Sequence, residues 1–268
     1  MYKAVFIDID GTLIKSDHTI SEATFDVIQK LKQKNILVIL VSARPLPAVL
    51  PIINKTGLTN YPVASLNGAY IVIEGKILFE STIDVTTVAT LHQQLQKYDA
   101  TIIYYEQAQW FSERKDYHTD YEQKITEIPI TIRPFAETLQ TWQDKNAGPN
   151  KVHVIGKAAL VNEIQDHLQQ QFAGHLSIST SKSTYLEVMH ITASKLNALK
   201  ILIGHYNIKQ EETIAIGDNF NDKEMIEFAG IGIAMGNAPA AVKAAADYVT
   251  DTNNNDGVCK AILKFIDF

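Results

Sequence analysis

Short β-branched runs alternate with amphipathic helical repeats at both ends of this chain, and that rhythm restricts the fold more than any other feature. Near the start, Ala4–Ile9, Ile36–Val41 and Pro62–Leu66 read as strands. Between the first two, Ser21–Lys34 carries Phe25, Ile28 and Leu31 at helical spacing, with Ser21 as the N-cap. Leu46–Thr56 reads as a second helix. Near the end, Thr213–Ile216, Gly230–Ala234 and Tyr248–Thr250 are strand candidates, and Lys195–His205, Asp222–Phe228 and Ala238–Ala245 are helix candidates between them. A strand–helix–strand repeat implies parallel pairing, because the helix carries the chain back to the same end of the sheet. The fold class expected is therefore α/β, a doubly wound, Rossmann-like parallel sheet.

The middle of the chain breaks this rhythm. Ala69–Glu80 predicts a hairpin turning at Glu74-Gly75. Beyond it, helical patterns (Val85–Tyr98, Ala158–Phe172) mix with strand-like runs (Thr101–Tyr105, Lys151–Ile155, Leu176–Thr180), and Gly148-Pro149 marks a break. This is the pattern of an α+β insert. The expected division is a core of residues 1–82 with 184–268, and an inserted unit of residues 83–183. Tyr104, Tyr105, Trp110 and Phe111 are expected in the core of the insert rather than around a ligand.

At 268 residues and 46% hydrophobic, the chain suffices for one or two domains with a substantial core. Its 24 basic and 30 acidic residues give a net charge of -6, and no long basic run occurs, which argues against a nucleic-acid partner. No apolar run reaches the ~18–20 residues needed to span a bilayer. The first residues enter a strand without a signal-peptide layout, so a cytoplasmic protein is expected. No obligate protein partner is implied. Cys259, the only cysteine, excludes an intrachain disulfide and a cysteine-cluster zinc site, and is expected to be a small buried residue. No low-complexity segment or solenoid-length repeat is present.

Polar groups interrupt the apolar pattern at four places. The first strand ends in Asp8-Ile9-Asp10-Gly11-Thr12. If the strand persists to Asp10, the two carboxylates share one face and repel each other, a conflict that a hard cation such as Mg²⁺ relieves. Ser42 follows the Ile36–Val41 run, where its hydroxyl can bind an anion or cap the next helix. Lys195 stands at a helix start, where the helix dipole disfavours a cation; that local conflict hints at a function. The densest segment is Gly217-Asp218-Asn219-Phe220-Asn221-Asp222, whose oxygen ligands suit Mg²⁺. It is not an EF-hand loop, because counting from Asp218 the sixth residue is Lys223 and the twelfth Ala229, where glycine and glutamate would be needed. No Gly-x-x-x-x-Gly-Lys-Ser/Thr segment occurs, which removes a P-loop nucleotide hydrolase.

Taken in order, Asp8-Ile9-Asp10-Gly11-Thr12, Ser42, Lys195 and Gly217–Asp222 resemble the four motifs of the haloacid dehalogenase superfamily. Leu66-Asn67-Gly68-Ala69, Tyr185–Val188, Gly232–Ala238 and Asn255-Asp256-Gly257-Val258 are similar to segments of its Cof-type phosphatase branch. The one departure is Ser42-Ala43-Arg44, where Thr-Gly-Arg is commoner; serine keeps the hydroxyl. The resemblance implies a core carrying an inserted cap that closes over the site, with hinges near Ser81 and Ser183. It implies a Mg²⁺-dependent phosphatase acting on a small phosphorylated metabolite, such as a sugar phosphate or phosphorylated cofactor. In that scheme Asp8 is the nucleophile that becomes an aspartyl phosphate, and Asp10 is the general acid and base. Asp8, the Asp10 main-chain carbonyl and Asp218 hold Mg²⁺, with Asp222 supporting them. Ser42 and Lys195 bind the phosphoryl oxygens, and Asn221 contacts the phosphate or Lys195. Asn67-Gly68 reads as a tight turn, which the resemblance places beside the phosphate. Arg44 either clamps the substrate or packs under the insert, and His190 reads as a solvated loop residue. The alternatives are a phosphomutase or phosphotransferase on the same fold, and a signalling module phosphorylated on an aspartate; 268 residues with a full cap exceed a lone receiver.

Overall fold

Chain order gives five strands, β1 (Ala4–Asp8), β2 (Leu37–Val41), β3 (Val63–Ser65), β4 (Tyr70–Ile73) and β5 (Lys76–Glu80), with helices α1 (Glu22–Gln33) and α2 (Leu46–Thr56) among them. Next come α3 (Val85–Leu95), β6 (Thr101–Glu106), β7 (Gln109–Ser112), α4 (Tyr117–Thr126), β8 (Thr131–Ile132), α5 (Phe135–Lys145), β9 (Lys151–Ile155), α6 (Ala158–Gln171), β10 (Leu176–Lys182) and β11 (Tyr185–His190). The chain ends with α7 (Lys195–Tyr206), β12 (Thr213–Gly217), α8 (Lys223–Phe228), β13 (Ile231–Ala234), α9 (Ala240–Lys243), β14 (Tyr248–Val249) and α10 (Gly257–Phe265). The structure, a computed structural model, describes residues 1–126 and 128–268. Two units form: Met1–Ala43 with Val49–Leu78 and Ser194–Phe268, and Arg44–Ala48 with Phe79–Ala193.

The sheet of the first unit has the order β14-β13-β12-β1-β2-β3-β4-β5. Strands from β14 to β3 pair in parallel, and β4 turns back antiparallel to β3. The parallel α/β expectation holds. Every residue of β1 and β12 is buried, as continuous apolar runs in the middle of a two-sided sheet require. The helix predicted after β1 is α1, and the Ser21 hydroxyl accepts the Thr24 N–H at 3.2 Å. Its buried stripe is Thr24, Val27, Ile28 and Leu31; Phe25 lies off that stripe and stays 36% exposed. The predicted hairpin is present, with Glu74 and Gly75 at positive φ. Cys259 is buried. Among the described residues no helix is long and apolar enough to cross a membrane.

The second unit has a sheet of order β10-β11-β9-β6-β7-β8, antiparallel except between β7 and β8. Alternation sorts its side chains. Val152 and Val154 of β9 and Tyr104 of β6 pack in one apolar cluster with Leu91, Trp142 and Ile164. The intervening Lys151, His153 and Tyr105 belong to the opposite face. Tyr104, Tyr105, Trp110 and Phe111 are all buried, as expected of core residues.

Candidate active site

β1 stands at the point where the winding reverses, with β2 on one side and β12 on the other. In such sheets the carboxyl ends of the strands open onto a crevice that binds ligands. Asp8 is the last residue of β1, and Asp218 follows Gly217, the last residue of β12. The strand does not persist to Asp10. After Asp8 the chain turns, with the N–H of Leu13 donating to the Asp8 carbonyl at 3.2 Å and the N–H of Ile14 to the Ile9 carbonyl at 3.0 Å. Asp10 is therefore exposed beyond the strand end, and the strand-face argument that paired its side chain with Asp8 fails. The carboxylates brought together are Asp8, Asp218 and Asp222, with ligand oxygens within 4.8 Å of one another.

Lys195 is the first residue of α7. The Ser194 hydroxyl caps that helix by accepting the Asn197 N–H at 3.0 Å. The electrostatic conflict read from the sequence resolves at the lysine's tip: buried Nζ donates to Asp8 Oδ1 and to Asp222 Oδ1, both at 2.5 Å. The second oxygen of Asp222 accepts the main-chain N–H groups of Asp218 at 3.1 Å and Asn219 at 3.0 Å. Asp222 thus ties the β12 loop to Lys195. Burial pushes the Asp8 carboxyl well above the usual range; Lys195 opposes the shift and Asp222 adds to it. Burial and the neighbouring Asp222 raise Asp218 to about 6. For Lys195 burial favours the neutral amine, but Asp222 and Asp8 more than offset it and hold the ammonium form.

Three carboxylates face one ammonium, so the fully ionised cluster carries two uncompensated negative charges. Clustered oxygen donors with excess negative charge fit a hard divalent cation. Backbone shape protects this spacing. Gly11 has φ +78°, and a Cβ there would run into the Asp218 carboxylate; a Cβ on Gly217 would run into Asp222.

Ser42, Asn67 and Asn221 are joined as well. Ser42 is buried; its N–H donates to the Ala64 carbonyl, and its carbonyl accepts the Asn67 N–H, both at 2.8 Å. It lies four residues before α2, outside the capping position, so the helix-cap alternative does not apply. The Asn221 amide donates to Asn67 Oδ1 at 2.9 Å. Leu66 and Asn67 both adopt left-handed φ, 50° and 53°, a costly conformation for leucine that is characteristic of functional sites. Arg44 belongs to the second unit, with its guanidinium 3.5 Å from the Ala48 carbonyl. His190 bonds the Thr192 hydroxyl at 2.8 Å. Sequence reasoning missed two donors at the cluster. Thr12 Oγ1 donates to Asp218 Oδ1 at 3.2 Å, and Asn237 Nδ2 to Asp218 Oδ2 at 3.2 Å. Both residues stood inside recognised segments, but neither type announces a ligand-holding role.

The parallel sheet of the first unit thus holds an acidic cluster and a buried lysine at its switch point. A sequence profile of the haloacid dehalogenase-like hydrolases matches residues 5–262, and the chain belongs to this family. A Haemophilus influenzae protein assigned as a phosphatase by inference is 37% identical over 266 residues, covering 96% of each chain. A solved haloacid dehalogenase-like hydrolase from Bacteroides thetaiotaomicron superposes with a TM-score of 0.89 at 29% identity, covering 99% of this chain and 100% of its own. A subclass IIB sugar phosphatase of the superfamily superposes with a TM-score of 0.83 at 26% identity, covering 98% of each chain. The protein is an enzyme, a phosphatase of this superfamily.

Proposed function

We propose that this enzyme is a Mg²⁺-dependent phosphatase that hydrolyses a small phosphorylated metabolite in the cytoplasm, a sugar phosphate or phosphorylated cofactor, through an aspartyl phosphate on Asp8. The observation that carries this reading is the buried Lys195 ammonium held 2.5 Å from both Asp8 and Asp222. A nucleophilic carboxylate in a dry site needs a fixed positive partner to remain ionised and aimed.

Asp8 attacks phosphorus, and the bond to the leaving oxygen breaks as Asp10 gives that oxygen a proton. Asp10, now ionised, takes a proton from water, which attacks the aspartyl phosphate and releases inorganic phosphate and the Asp8 carboxylate. Exposure suits Asp10 to this exchange, since its proton must pass to and from groups in solvent. Ser42, Lys195, Asn67 and Asn221 hold phosphoryl oxygens. Asp8, Asp218 and the Asp10 main-chain carbonyl would hold Mg²⁺, with Asp222 supporting them. When bound, the ion neutralises charge on the cluster and on the phosphoryl group.

The unit of Met1–Ala43, Val49–Leu78 and Ser194–Phe268 acts as the catalytic core and the unit of Arg44–Ala48 and Phe79–Ala193 as the cap that sets specificity, so the division expected at 82/83 and 183/184 shifts to give β11 and Arg44, a substrate contact, to the cap. The structural likeness to a sugar phosphatase supports a sugar phosphate as the first class to examine. The test is phosphate release from a panel of phosphorylated metabolites and p-nitrophenyl phosphate, with and without Mg²⁺. Catalytic release that requires Mg²⁺ is expected, without a bisphosphate activator. No release from any member contradicts the reading.

A further inference from the structure

Two segments singled out in the sequence have no role in this mechanism, Gly236-Asn237-Ala238 and Asn255-Asp256-Gly257. The first follows β13 and the second follows β14. Asn237 of the first meets the turn Asn253–Asn255 that leads into the second. Its Nδ2 donates to the Gly11 carbonyl at 2.8 Å and to Asp218 Oδ2 at 3.2 Å. Its Oδ1 accepts the Asn253 N–H at 3.1 Å. These partners fix the orientation of the amide, because the reversed group would set oxygen against two acceptors and nitrogen against a donor.

The neighbouring asparagines extend the contact. Asn253 Nδ2 donates to the Ile14 carbonyl at 2.9 Å. The Ser16 N–H donates to Asn254 Oδ1 at 2.9 Å, and Asn254 Nδ2 donates to the Ser16 hydroxyl at 3.0 Å. The turn Asn253–Asn255 is thereby stitched to the segment 11–16 that follows Asp10, and Asn237 continues the stitching to a carboxylate of the cluster. Thr12 donates to Oδ1 of the same carboxylate at 3.2 Å, so each oxygen of Asp218 accepts one donor from outside the cluster.

We infer that Asn237 is a positioning residue for the divalent cation: it orients the Asp218 carboxylate and locks it to the Gly11 turn, and so sets metal affinity. The inference rests on the metal-dependent reading above. An outer donor fixes a ligand's direction while leaving its other lone pairs for the ion, and loss of such a donor typically weakens metal binding by ~10–100-fold. Asn237 is exposed, so water partly replaces its hydrogen bonds and the lower end of that range applies.

The test is calorimetric titration of the metal-stripped full chain with Mg²⁺ alone, beside melting temperature in EDTA. Wild type, Asn237→Ala and Asn254→Ala are compared; the last cuts the stitching at Ser16 without touching Asp218. Asn237→Ala is expected to raise the Mg²⁺ Kd by about tenfold, and Asn254→Ala to leave it within about twofold, the scatter of a peripheral change. Melting temperatures in EDTA should fall no further for Asn237→Ala than for Asn254→Ala. A Kd unchanged in Asn237→Ala overturns the inference, and so does equal weakening in Asn254→Ala, which would mark a merely structural role. If wild type takes up no Mg²⁺, the metal-dependent reading falls and the inference with it; if wild type binds Mg²⁺ and Asn237→Ala binds it equally, only the inference falls.

Discussion

Asp8 and Lys195 stand 187 positions apart in the chain and 2.5 Å apart at the site. The ammonium has three N–H donors, and two carboxylates engage two of them. In the proposed mechanism the third donor receives a phosphoryl oxygen, so one buried charge would hold Asp8, brace the β12 loop and bind the substrate.

Lys195→Met should separate these roles from packing. Loss of a donor at a developing charge costs ~10²–10³ in rate, and breaking a buried ion pair destabilises by about 3–5 kcal/mol. Phosphate release is expected to fall by at least that factor, and denaturant midpoints measured in EDTA to drop. Lys195→Arg should not restore the rate, because a planar fork does not fit between two carboxylates shaped around a point charge. Wild-type turnover in either variant would contradict the role.

The parts of this site that were legible in the sequence share one property: each is a polar group that interrupts an apolar period. Asp8, Ser42 and Asp218 were visible because a buried strand must end where they begin. Lys195 was visible as a conflict with its own helix, but its partners are set by packing among β1, α7 and the β12 loop. Asp10 shows the limit. Period-two reasoning carries only as far as the strand, and β1 stops at Asp8 because the next carbonyls are taken by Leu13 and Ile14. Thr12 and Asn237 gave no signal, since one neutral hydrogen bond to a carboxylate leaves no mark on a hydropathy pattern. In the insert, β8 is two residues long and exposed, and α4 reads Tyr-His-Thr-Asp-Tyr-Glu-Gln-Lys-Ile-Thr, without a clear apolar stripe. Neither was anticipated, whereas α3, β9 and α6 were; α5 and β11 were not, although Trp142 of α5 and Val188 of β11 lie in the same apolar cluster.

Asp10→Asn should depend on the leaving group. Loss of acid–base catalysis costs ~10²–10⁴. A sugar phosphate, whose alkoxide leaves poorly, should show the full loss in the first displacement. Nitrophenyl phosphate needs less protonation, and its phosphoenzyme-forming step should suffer less. Single-turnover rates on the two substrates check this, and equal losses would remove Asp10 from leaving-group protonation.

Metal removal should act through Asp218. EDTA is expected to abolish phosphate release and Mg²⁺ to restore it, and Asp218→Ala should raise the Mg²⁺ requirement or eliminate activity. Gly11→Ala should behave alike, because its Cβ meets the same carboxylate. Full activity in EDTA contradicts metal assistance.

His153 should make the second unit acid-sensitive. Burial, reinforced by Lys151, lowers its pKa from the ordinary 6.5 to about 3. Below pH 6.5 the unfolded imidazole takes up a proton that the folded one refuses until about pH 3. Its contribution to stability is therefore lost as pH falls through that window, by up to about 1.4 kcal/mol per pH unit. Urea midpoints between pH 4.5 and 7 should fall more steeply for wild type than for His153→Gln. Parallel slopes would mean the imidazole is protonated when folded.

The most direct measurement is acid quench during turnover, followed by mass spectrometry of the peptide that carries Asp8. A phosphoryl group on Asp8 is expected, formed only with Mg²⁺ present and absent from Asp8→Asn, which should fold normally and release no phosphate. Phosphate release with Asp8 unlabelled under single-turnover quench, or near-wild-type release from pure Asp8→Asn, would contradict the account.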